Sequence, residues 1–381
     1  MAHTVTIVQR RLPHYRVPLF ERMHASLAAA DIRLRLLHGE GTRSEASKKD
    51  GGSLSWAEPL ATRYLANGRI CWQPFMSRAA GSDLVIVTQE NKLVNNLFAL
   101  ANPWRPEALA FWGHGRNMQA QRPTGLLERF KRWTTGRVDW WFAYTEMSSA
   151  FVHEDGFPTE RITVLNNSID TGELRRAIVE ARLTPREALR AKLGLDQGPL
   201  AVFLGSLYPD KRLSFLVDAA RAIHAQMPGF VLAIAGDGPD RALIEQAAQT
   251  SSFIRYLGSV RGARKAELLA CADLILNPGL VGLGILDAFV AGAPLLTTDC
   301  RLHSPEVAYL ENGRNGLMTA DSLPDYVQAT LAVLRDPAEL QRLQAGALAA
   351  GQHYSIERMS ERFCDGIVAC LAATAKRRGN R

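Results

Sequence analysis

Short apolar runs alternate along the chain with segments whose apolar residues recur at helical spacing. The runs predict strands at residues 5–8, 32–37, 84–87, 108–112, 140–144 and 162–165, and again at 200–204, 230–235, 254–258, 272–276 and 295–298. Strands that alternate with helices favour an α/β fold with parallel, doubly wound sheets. Because ligands bind beyond the carboxyl ends of strands in such sheets, the loops that follow these runs are expected to carry the function.

A charged helical stretch without a strand signal, residues 171–197, separates the two series of strands. At 381 residues the chain is also long for a single core. We therefore predict one Rossmann-like domain at 1–172 and a second at 173–354. Residues 355–381 are predicted to form a last amphipathic helix with a basic tail.

Residues 277–294 hold the densest local signal of the chain. Gly279, Gly282 and Gly284 lie between a short apolar run and a helical pattern that carries Asp287 in its first turn. A helix start offers unpaired N–H groups and partial positive charge to an anion, and glycines let the backbone approach it. Asp287 can accept a hydrogen bond from a hydroxyl group of the same ligand. A nucleotide diphosphate offers both groups, whereas an ordinary strand–helix turn is the alternative.

Composition places few further limits on this picture. A hydrophobic fraction of 47% indicates a soluble globular protein, and no apolar run approaches the ~20 residues that cross a bilayer. The N-terminus runs directly into a strand and lacks the layout of a signal peptide. Five scattered cysteines without metal-ligand spacing suit a reducing compartment. The expected location is therefore the cytoplasm.

The net charge of +7 is unevenly placed. Residues 122–137 are rich in arginine and lysine, which interleave with apolar residues at helical spacing. This pattern predicts a basic amphipathic segment that lies on an anionic membrane surface; a solvated helix with one buried face is the alternative. No nucleic-acid-binding motif accompanies the charge, so nucleic acid is not expected as a partner.

A diphosphate leaving group needs its charge neutralised by a metal ion or by fixed cations and dipoles. The chain contains no Asp-x-Asp motif, so we expect chemistry without a metal or other cofactor. Lys211 ends a loop that follows a strand, and the amides near Gly284 are a second source of positive charge. A plain surface lysine is the alternative for Lys211.

Two further loops carry candidate side chains. His114 lies between two glycines at a strand end, close to Arg116, which suggests a polar or catalytic role; a structural histidine is the alternative. Tyr15 and Arg16 follow the first strand and are predicted to face the same rim. Helix packing is the alternative for Tyr15.

The order of the motifs says more than any motif alone. They are Gly205-Ser206-Leu207 with Lys211, Gly236-Asp237-Gly238-Pro239, Tyr256-Leu257-Gly258, Asn277-Pro278, Asp287-Ala288-Phe289 with Gly292 and Pro294, Pro305-Glu306, and Asn312-Gly313 with Asn315-Gly316-Leu317. The series resembles the donor half of the retaining glycosyltransferases of family four, also described as glycosyl transferases group 1. Asn166-Asn167-Ser168-Ile169-Asp170 is similar to that family's junction between halves, and the resemblance covers roughly residues 138–317.

The resemblance implies a GT-B architecture, with two facing Rossmann-like doubly wound domains and a cleft between them. The N-terminal domain would bind the acceptor, the C-terminal domain the nucleotide-sugar donor, and the last helix would cross back to the N-terminal domain. The implied enzyme is a metal-independent, retaining hexosyl- or related transferase. It would act on a glycan or lipid-linked acceptor in polysaccharide, lipopolysaccharide or glycoconjugate biosynthesis, at the inner face of the membrane. UDP-sugar is the first expectation for the donor and GDP-sugar the second.

The resemblance also assigns residues. Lys211 would grip the diphosphate, Asp287 would hold the ribose where the family has glutamate, and His114 would match a histidine near the transferred sugar. The implied donor-binding set is Gly205, Ser206, Lys211, Tyr256, Leu257, Gly279, Gly282, Leu283, Gly284 and Asp287. His114 and Lys211 are the catalytic candidates, and Tyr15, Arg16 and Arg116 the acceptor-binding candidates.

Two positions depart from the family pattern. Gly279 stands where the family carries a glutamate that touches the donor sugar, and Ser206 stands where an arginine is common. We hypothesise that Arg212, Arg261 or Arg264 replaces the missing charge. A non-catalytic nucleotide-sugar binder is one alternative function. A nicotinamide-dependent oxidoreductase is another, although the G-x-G-x-x-G fingerprint is absent.

Overall fold

A computed structural model describes residues 3–42, 45, 50–90, 92–101, 106–115 and 133–379. The chain divides into two compact units. The N-terminal unit consists of Met1–Asp170 and Ile356–Arg381, and the C-terminal unit of Thr171–Ser355.

Parallel strands form the main sheet of the N-terminal unit. Its strands are β1 (His3–Gln9), β2 (Ile32–His38), β3 (Glu58–Pro59), β6 (Leu84–Thr88), β7 (Ala108–Gly113), β8 (Trp140–Ala143) and β9 (Ile162–Val164), in the order β3-β2-β1-β6-β7-β8-β9. A separate antiparallel hairpin pairs β4 (Arg63–Leu65) with β5 (Ile70–Trp72). The helices described in this unit are α1 (Val17–Ala29), α2 (Val94–Ala101), α3 (Glu146–Glu154) and α12 (Ile356–Gly379).

The last helix, α12, packs into the core of the N-terminal unit. The Phe363 ring stacks on Phe142 at 4.6 Å between centroids and meets Trp112 edge-on at 5.0 Å. Gly366 allows this approach, since a Cβ there would lie 2.5 Å from the Thr163 hydroxyl and 2.8 Å from the Phe142 ring. The chain's end is thereby joined to its first unit by buried aromatic contacts.

The C-terminal unit is built around a second parallel sheet. Its strands are β10 (Leu200–Leu204), β11 (Val231–Ala235), β12 (Ile254–Tyr256), β13 (Leu274–Leu276), β14 (Leu295–Thr298) and β15 (Gly316–Thr319), in the order β12-β11-β10-β13-β14-β15. The helices described are α4 (Gly172–Ala181), α5 (Arg186–Leu193), α6 (Leu213–Gln226), α7 (Arg241–Thr250), α8 (Gly262–Cys271), α9 (Gly284–Ala291), α10 (Leu323–Arg335) and α11 (Pro337–His353). The strand order reverses between β10 and β13, and such a switch point leaves a crevice for ligands.

The predicted doubly wound α/β fold is confirmed in both units. The sequence pattern missed β3, the β4–β5 hairpin and β15. Each of these strands spans only two to four residues. Apart from Cys71 in β5 and Gly316 in β15, which are buried, their residues are half-buried or exposed. No apolar run therefore marks them in the sequence. Within the described residues, no helix has the length and hydropathy needed to span a membrane.

Candidate functional site

The loops that follow β10 and β13 touch each other at the switch point of the C-terminal sheet. Leu280 N–H donates to the Asp210 carbonyl oxygen at 2.8 Å, and Lys211 Nζ donates to the Leu280 carbonyl oxygen. A Cβ at Gly279 would lie 2.2 Å from the Asp210 carbonyl oxygen and 2.5 Å from the Lys211 carbonyl carbon. Both neighbours are backbone atoms, which a rotamer change cannot move. No side chain, a glutamate included, fits at position 279 with this path of the chain.

Lys211 is a half-buried cation that forms no ion pair with a carboxylate of the described residues. Burial lowers its pKa to about 8, against the smaller opposing effects of Asp210 and Cys300. A buried cation without a counter-charge is unfavourable, so a bound anion would relieve its desolvation. The position is therefore suited to binding an anionic group.

The N-terminus of α9 lies beside this lysine loop and is open. Ile285 and Leu286 donate to Gly282 and Leu283, at 3.1 Å each. No acceptor among the described residues binds the N–H groups of Gly282, Leu283 and Gly284, and no side chain caps the helix. Gly284 is exposed. Unpaired amides at a helix start are a ready anion site, as the sequence predicts.

His303 holds this loop through a hydrogen bond with the main chain of Val281, a role that the sequence analysis missed. Its ring is buried, with Nδ1 accepting from Val281 N–H at 3.1 Å and Nε2 lying 2.7 Å from the Thr298 carbonyl oxygen. This arrangement fits the neutral ring with its proton on Nε2. Ser304 N–H donates to the Val281 carbonyl oxygen at 2.9 Å, so both main-chain polar groups of Val281 are hydrogen-bonded. A lone histidine in an irregular loop gives no pattern that would have revealed this.

Asp287 lies in the first turn of α9 and is ion-paired with Lys265 on α8. Lys265 Nζ is 2.8 Å from Asp287 Oδ2, and the side chains are 25% and 15% exposed, respectively. Lys265 was not among the cations proposed to replace the family arginine at Ser206. It nevertheless places positive charge at the site, next to the carboxylate predicted to bind ribose.

The three arginines that were proposed differ in their surroundings. Arg212 is already engaged, because it forms an ion pair with Asp321 and a 3.0 Å hydrogen bond with the Thr298 hydroxyl. Arg261 and Arg264 are exposed and form no ion pair with any described residue. The contacts of Arg212 argue against a role in balancing ligand charge, while the hypothesis for Arg261 and Arg264 stays a prediction.

The remaining donor-site candidates lie on the adjoining loops of the same unit. Gly205 N–H donates to the Ala235 carbonyl oxygen at 3.0 Å, and Ser206 is exposed beside it. Tyr256 Oη donates to the Gly236 carbonyl oxygen at 3.0 Å, and burial raises the pKa of this phenol. Leu257 follows directly and is half-buried. These loops extend the same edge of the sheet through β11 to β12.

His114 follows the end of β7 in the N-terminal unit and is exposed. Its ring lies 4.2 Å from the Tyr144 ring between centroids. Both flanking glycines are required by packing. A Cβ at Gly113 would lie 2.8 Å from Gln89 Cβ; Gly115 has a φ of +72°, and a Cβ there would lie 2.9 Å from a methyl carbon of the Val152 side chain. The loop therefore presents the histidine to solvent at the carboxyl edge of the sheet.

The acceptor-binding candidates differ in burial, and one of them lies outside the described residues. Arg16 is buried, donates to Asn167 Oδ1 at 2.7 Å and lies 5.2 Å from the centre of the Trp112 ring. These contacts give Arg16 a structural role and argue against direct contact with an acceptor. Tyr15 is half-buried in the loop after β1. Arg116 lies outside the described residues, as do positions 122–132 of the basic segment.

Comparison with known proteins adds the family. Residues 198–336 match the family described as Glycosyl transferases group 1. Alpha-monoglucosyldiacylglycerol synthase of Acholeplasma laidlawii is 25% identical over 178 residues, 45% of this chain and 44% of that protein. Phosphatidyl-myo-inositol mannosyltransferase of Mycolicibacterium smegmatis is 28% identical over 158 residues, 40% and 39% of the two chains. The chain thus spans less than half of the length of these relatives.

Solved structures resemble the whole chain. Anabaena Alr3699/HepE in complex with UDP has a TM-score of 0.68 at 16% identity, covering 96% of this chain and 99% of that one. Sucrose-phosphate synthase from Thermosynechococcus elongatus has a TM-score of 0.69 at 13% identity, covering 97% and 100%. At these identities the likeness establishes the fold. The chain therefore has the GT-B fold and carries a glycosyl transferases group 1 domain at residues 198–336.

Proposed function

We propose that this protein is a retaining, metal-independent glycosyltransferase that moves a sugar from a nucleotide diphosphate-sugar to a glycan or lipid-linked acceptor. The proposal rests on one observation at the switch point of the group 1 domain. Lys211 binds the Leu280 carbonyl, and the open amides of residues 282–284 follow in the same loop. A departing nucleoside diphosphate develops negative charge, and fixed cations and dipoles stabilise that charge in the transition state. Among the described residues, no group of three or more His, Cys, Asp or Glu side chains is placed to hold a metal ion.

Lys211 is the central residue of the proposed reaction. With its Nζ on the Leu280 carbonyl, it lies next to the loop whose amides are open. A diphosphate bound there would receive one ammonium donor and the backbone donors of Gly282 to Gly284. Burial lowers the pKa of Lys211 because it disfavours the charged ammonium. A bound anion would favour the ammonium again and raise this pKa.

Asp287 and Lys265 are proposed to bind the ribose together. Lys265 occupies Oδ2 of the carboxylate, which leaves Oδ1 to accept from a ribose hydroxyl. The remaining N–H donors of Lys265 supply a cation close to the nucleotide. This cation compensates in part for Ser206, which carries no charge where the family has arginine. Tyr256 and Leu257 are proposed to border the base.

The acceptor side is assigned to the N-terminal unit. His114 is exposed at the carboxyl edge of the sheet and is proposed to contact the transferred sugar, with Tyr15 and Arg116 near the acceptor. Two similar proteins have lipids in their names, monoglucosyldiacylglycerol and phosphatidyl-myo-inositol, which supports a lipid-linked acceptor here. A place in the cytoplasm at the inner membrane face, through residues 122–137, accords with such an acceptor.

UDP is the proposed nucleotide, with GDP second. Alr3699/HepE, which shares the fold over nearly its whole length, has been solved with UDP, with UDP and glucose, and with UDP-glucose. None of the contacts described above in these loops distinguishes one base from another. The nucleotide assignment therefore depends on structural similarity.

Binding and turnover experiments test the proposal together. We expect UDP to raise the unfolding temperature more than GDP or dTDP, and a UDP-sugar to be hydrolysed slowly without acceptor. Turnover should be unaffected by EDTA, and the product should keep the anomeric configuration of the donor by NMR. Donor binding without hydrolysis or transfer to any lipid or glycan acceptor would instead favour a non-catalytic binder. Absence of binding by all three nucleotides would overturn the proposal.

A further inference from the structure

The β4–β5 hairpin of the N-terminal unit exposes an apolar strip to solvent. Leu65 and Ile70 face each other across the hairpin and are 54% and 38% exposed. Trp72 is 38% exposed and meets the 56% exposed Phe98 of α2 edge-on, at 5.7 Å between ring centroids. We call these four side chains the hairpin patch. The exposure of several large apolar side chains next to each other is unfavourable in water. Such a patch typically marks a surface that binds a protein, a membrane or a ligand.

The patch is one face of a hairpin whose other face is fixed. Tyr64 and Cys71 pair across the strands on the opposite side, where Cys71 is fully buried. Tyr64 Oη donates to the Glu40 carbonyl oxygen at 2.8 Å and accepts from Arg10 at 3.0 Å. The main chain of Cys71 also donates to the Lys92 carbonyl oxygen at 2.7 Å. The exposed face is therefore held outward by buried contacts on its back.

The charged residues of the hairpin itself have one sign. Residues 63–72 include Arg63 and Arg69 and no aspartate or glutamate. Arg63 shares the outer face, opposite Trp72, and neither arginine forms an ion pair with a described residue. Glu45 and Glu90 approach this region but are held by Arg10, at 2.7 and 3.1 Å. Unpaired arginines beside exposed aromatic and aliphatic side chains complement an anionic bilayer surface.

We propose that the hairpin patch is a membrane-docking surface, which inserts Leu65, Ile70, Trp72 and Phe98 into the headgroup region of an anionic bilayer. Arg63 and Arg69 would lie among the lipid phosphates. Tryptophan favours this interfacial depth because its ring is apolar and its N–H is polar. This surface differs from the basic segment predicted at residues 122–137.

The placement of the hairpin also links docking to the acceptor. Its inner face is tied to Arg10 and Glu40, which follow the carboxyl ends of β1 and β2. His114 and Tyr15 follow strands of the same sheet at the same edge. A docked hairpin would bring that edge to the bilayer, where a lipid-linked acceptor resides. This link rests on the proposed function, whereas the docking itself does not.

Vesicle flotation of the full-length protein tests the docking surface without any enzymatic readout. We expect flotation with phosphatidylcholine vesicles that contain phosphatidylglycerol and little with phosphatidylcholine alone. The Trp72→Ser, Phe98→Ser double variant should lose roughly tenfold or more of the binding, since it removes two exposed aromatic side chains that would insert into the bilayer. Arg63→Glu with Arg69→Glu should give a loss of roughly tenfold or more. The controls Leu183→Ser, at an 82% exposed leucine of the C-terminal unit, and Arg33→Glu, at another exposed arginine, should bind as wild type.

Tryptophan quenching by brominated phosphatidylcholine separates this surface from the basic segment. Trp72→Phe should keep flotation and lose most of the quenching, whereas Trp133→Phe, at a 49% exposed position, should keep both. Wild-type protein that does not float, or serine variants that float equally well, would overturn the proposal. So would a patch that proves to mediate self-association, seen as an oligomer that the serine variants dissolve. Donor binding is measured separately, so failure of docking leaves the proposed reaction standing.

Discussion

The carboxyl edges of the two sheets are built in different ways. In the C-terminal unit, the loops touch through the main chain: Leu280 N–H binds the Asp210 carbonyl, and Gly279 leaves no space for a side chain. In the N-terminal unit, side chains make the edge, as Arg10 does by pairing with Glu45 and Glu90. Main-chain contacts restrict which residue fits, whereas side-chain pairs can be exchanged for others. The family match, residues 198–336, falls within the C-terminal unit, where the Gly279 contact is of the main-chain kind.

The largest expected effect tests the main-chain edge through Lys211, its half-buried cation without an ion pair to a described carboxylate. Lys211→Ala should lower turnover of a UDP-sugar by roughly 10²–10³-fold, the cost of removing one donor that stabilises a developing anion. Steady-state rates of UDP-sugar consumption measure this. Lys376→Ala, at an exposed lysine of α12, is the matched control and should retain its rate. Near-normal turnover of Lys211→Ala would remove the diphosphate assignment.

His114 tests the other edge. Because the ring is exposed, His114→Ala should leave the unfolding temperature nearly unchanged, as most surface substitutions do. If it acts at the sugar, turnover should nevertheless fall by roughly 10²-fold. His353→Ala, at an exposed histidine of the C-terminal unit, should change neither quantity. A variant with full activity would make His114 an ordinary surface residue.

Gly279→Ala would break the main-chain contact directly. The added Cβ meets two backbone atoms at 2.2 and 2.5 Å, so the loop must shift. We expect a loss of about 1–3 kcal/mol in the free energy of unfolding, as for overpacking in a well-packed site. Gly284→Ala is the control for stability, since a Cβ there meets nothing within 4 Å. Equal unfolding midpoints in urea for both variants would show that the loops are not held as described.

Donor binding should also depend on pH through Lys211. Its pKa of about 8 means that the ammonium loses its charge as pH rises from 7 to 9. An anionic diphosphate favours the charged form, so the pKa rises on binding and affinity falls above pH 8, by up to about tenfold per unit. Calorimetric titration with UDP across this range measures the effect. Lys211→Arg keeps its charge and should show no such decline; a wild-type affinity that stays constant to pH 9 would contradict this account.

How much the sequence could predict follows from the same contrast. The longer strands, the glycine loop and the positions of Lys211 and Asp287 follow from apolar periodicity and from motifs that the main chain requires. His303 and Lys265 could not be predicted in this way. Each makes a contact with a residue distant in sequence, His303 with Val281 and Lys265 with Asp287, and a single polar side chain leaves no periodic signal.

Arg16 is a residue whose contacts argue against the predicted role. Its place in the loop after the first strand, on the rim where ligands are expected, suggested contact with a substrate. The structure instead uses Asn167 and the Trp112 ring to bury it. Those partners are remote along the chain, so local sequence could not distinguish packing from binding.

The smallest expected effect concerns Lys265. Its ion pair with Asp287 is a side-chain contact at the edge of the C-terminal sheet, where main-chain contacts also hold the loops. Lys265→Met should weaken UDP binding roughly threefold to fivefold, on the scale of a half-exposed ion pair. Asp287→Asn should weaken it as well, and the double variant should be no weaker than the worse single one, because the two act as a unit. Lys192→Met, which removes an ion pair with Glu267 elsewhere in the unit, is the matched control. If instead the two effects add, Lys265 and Asp287 contribute independently and the proposed shared ribose site is wrong.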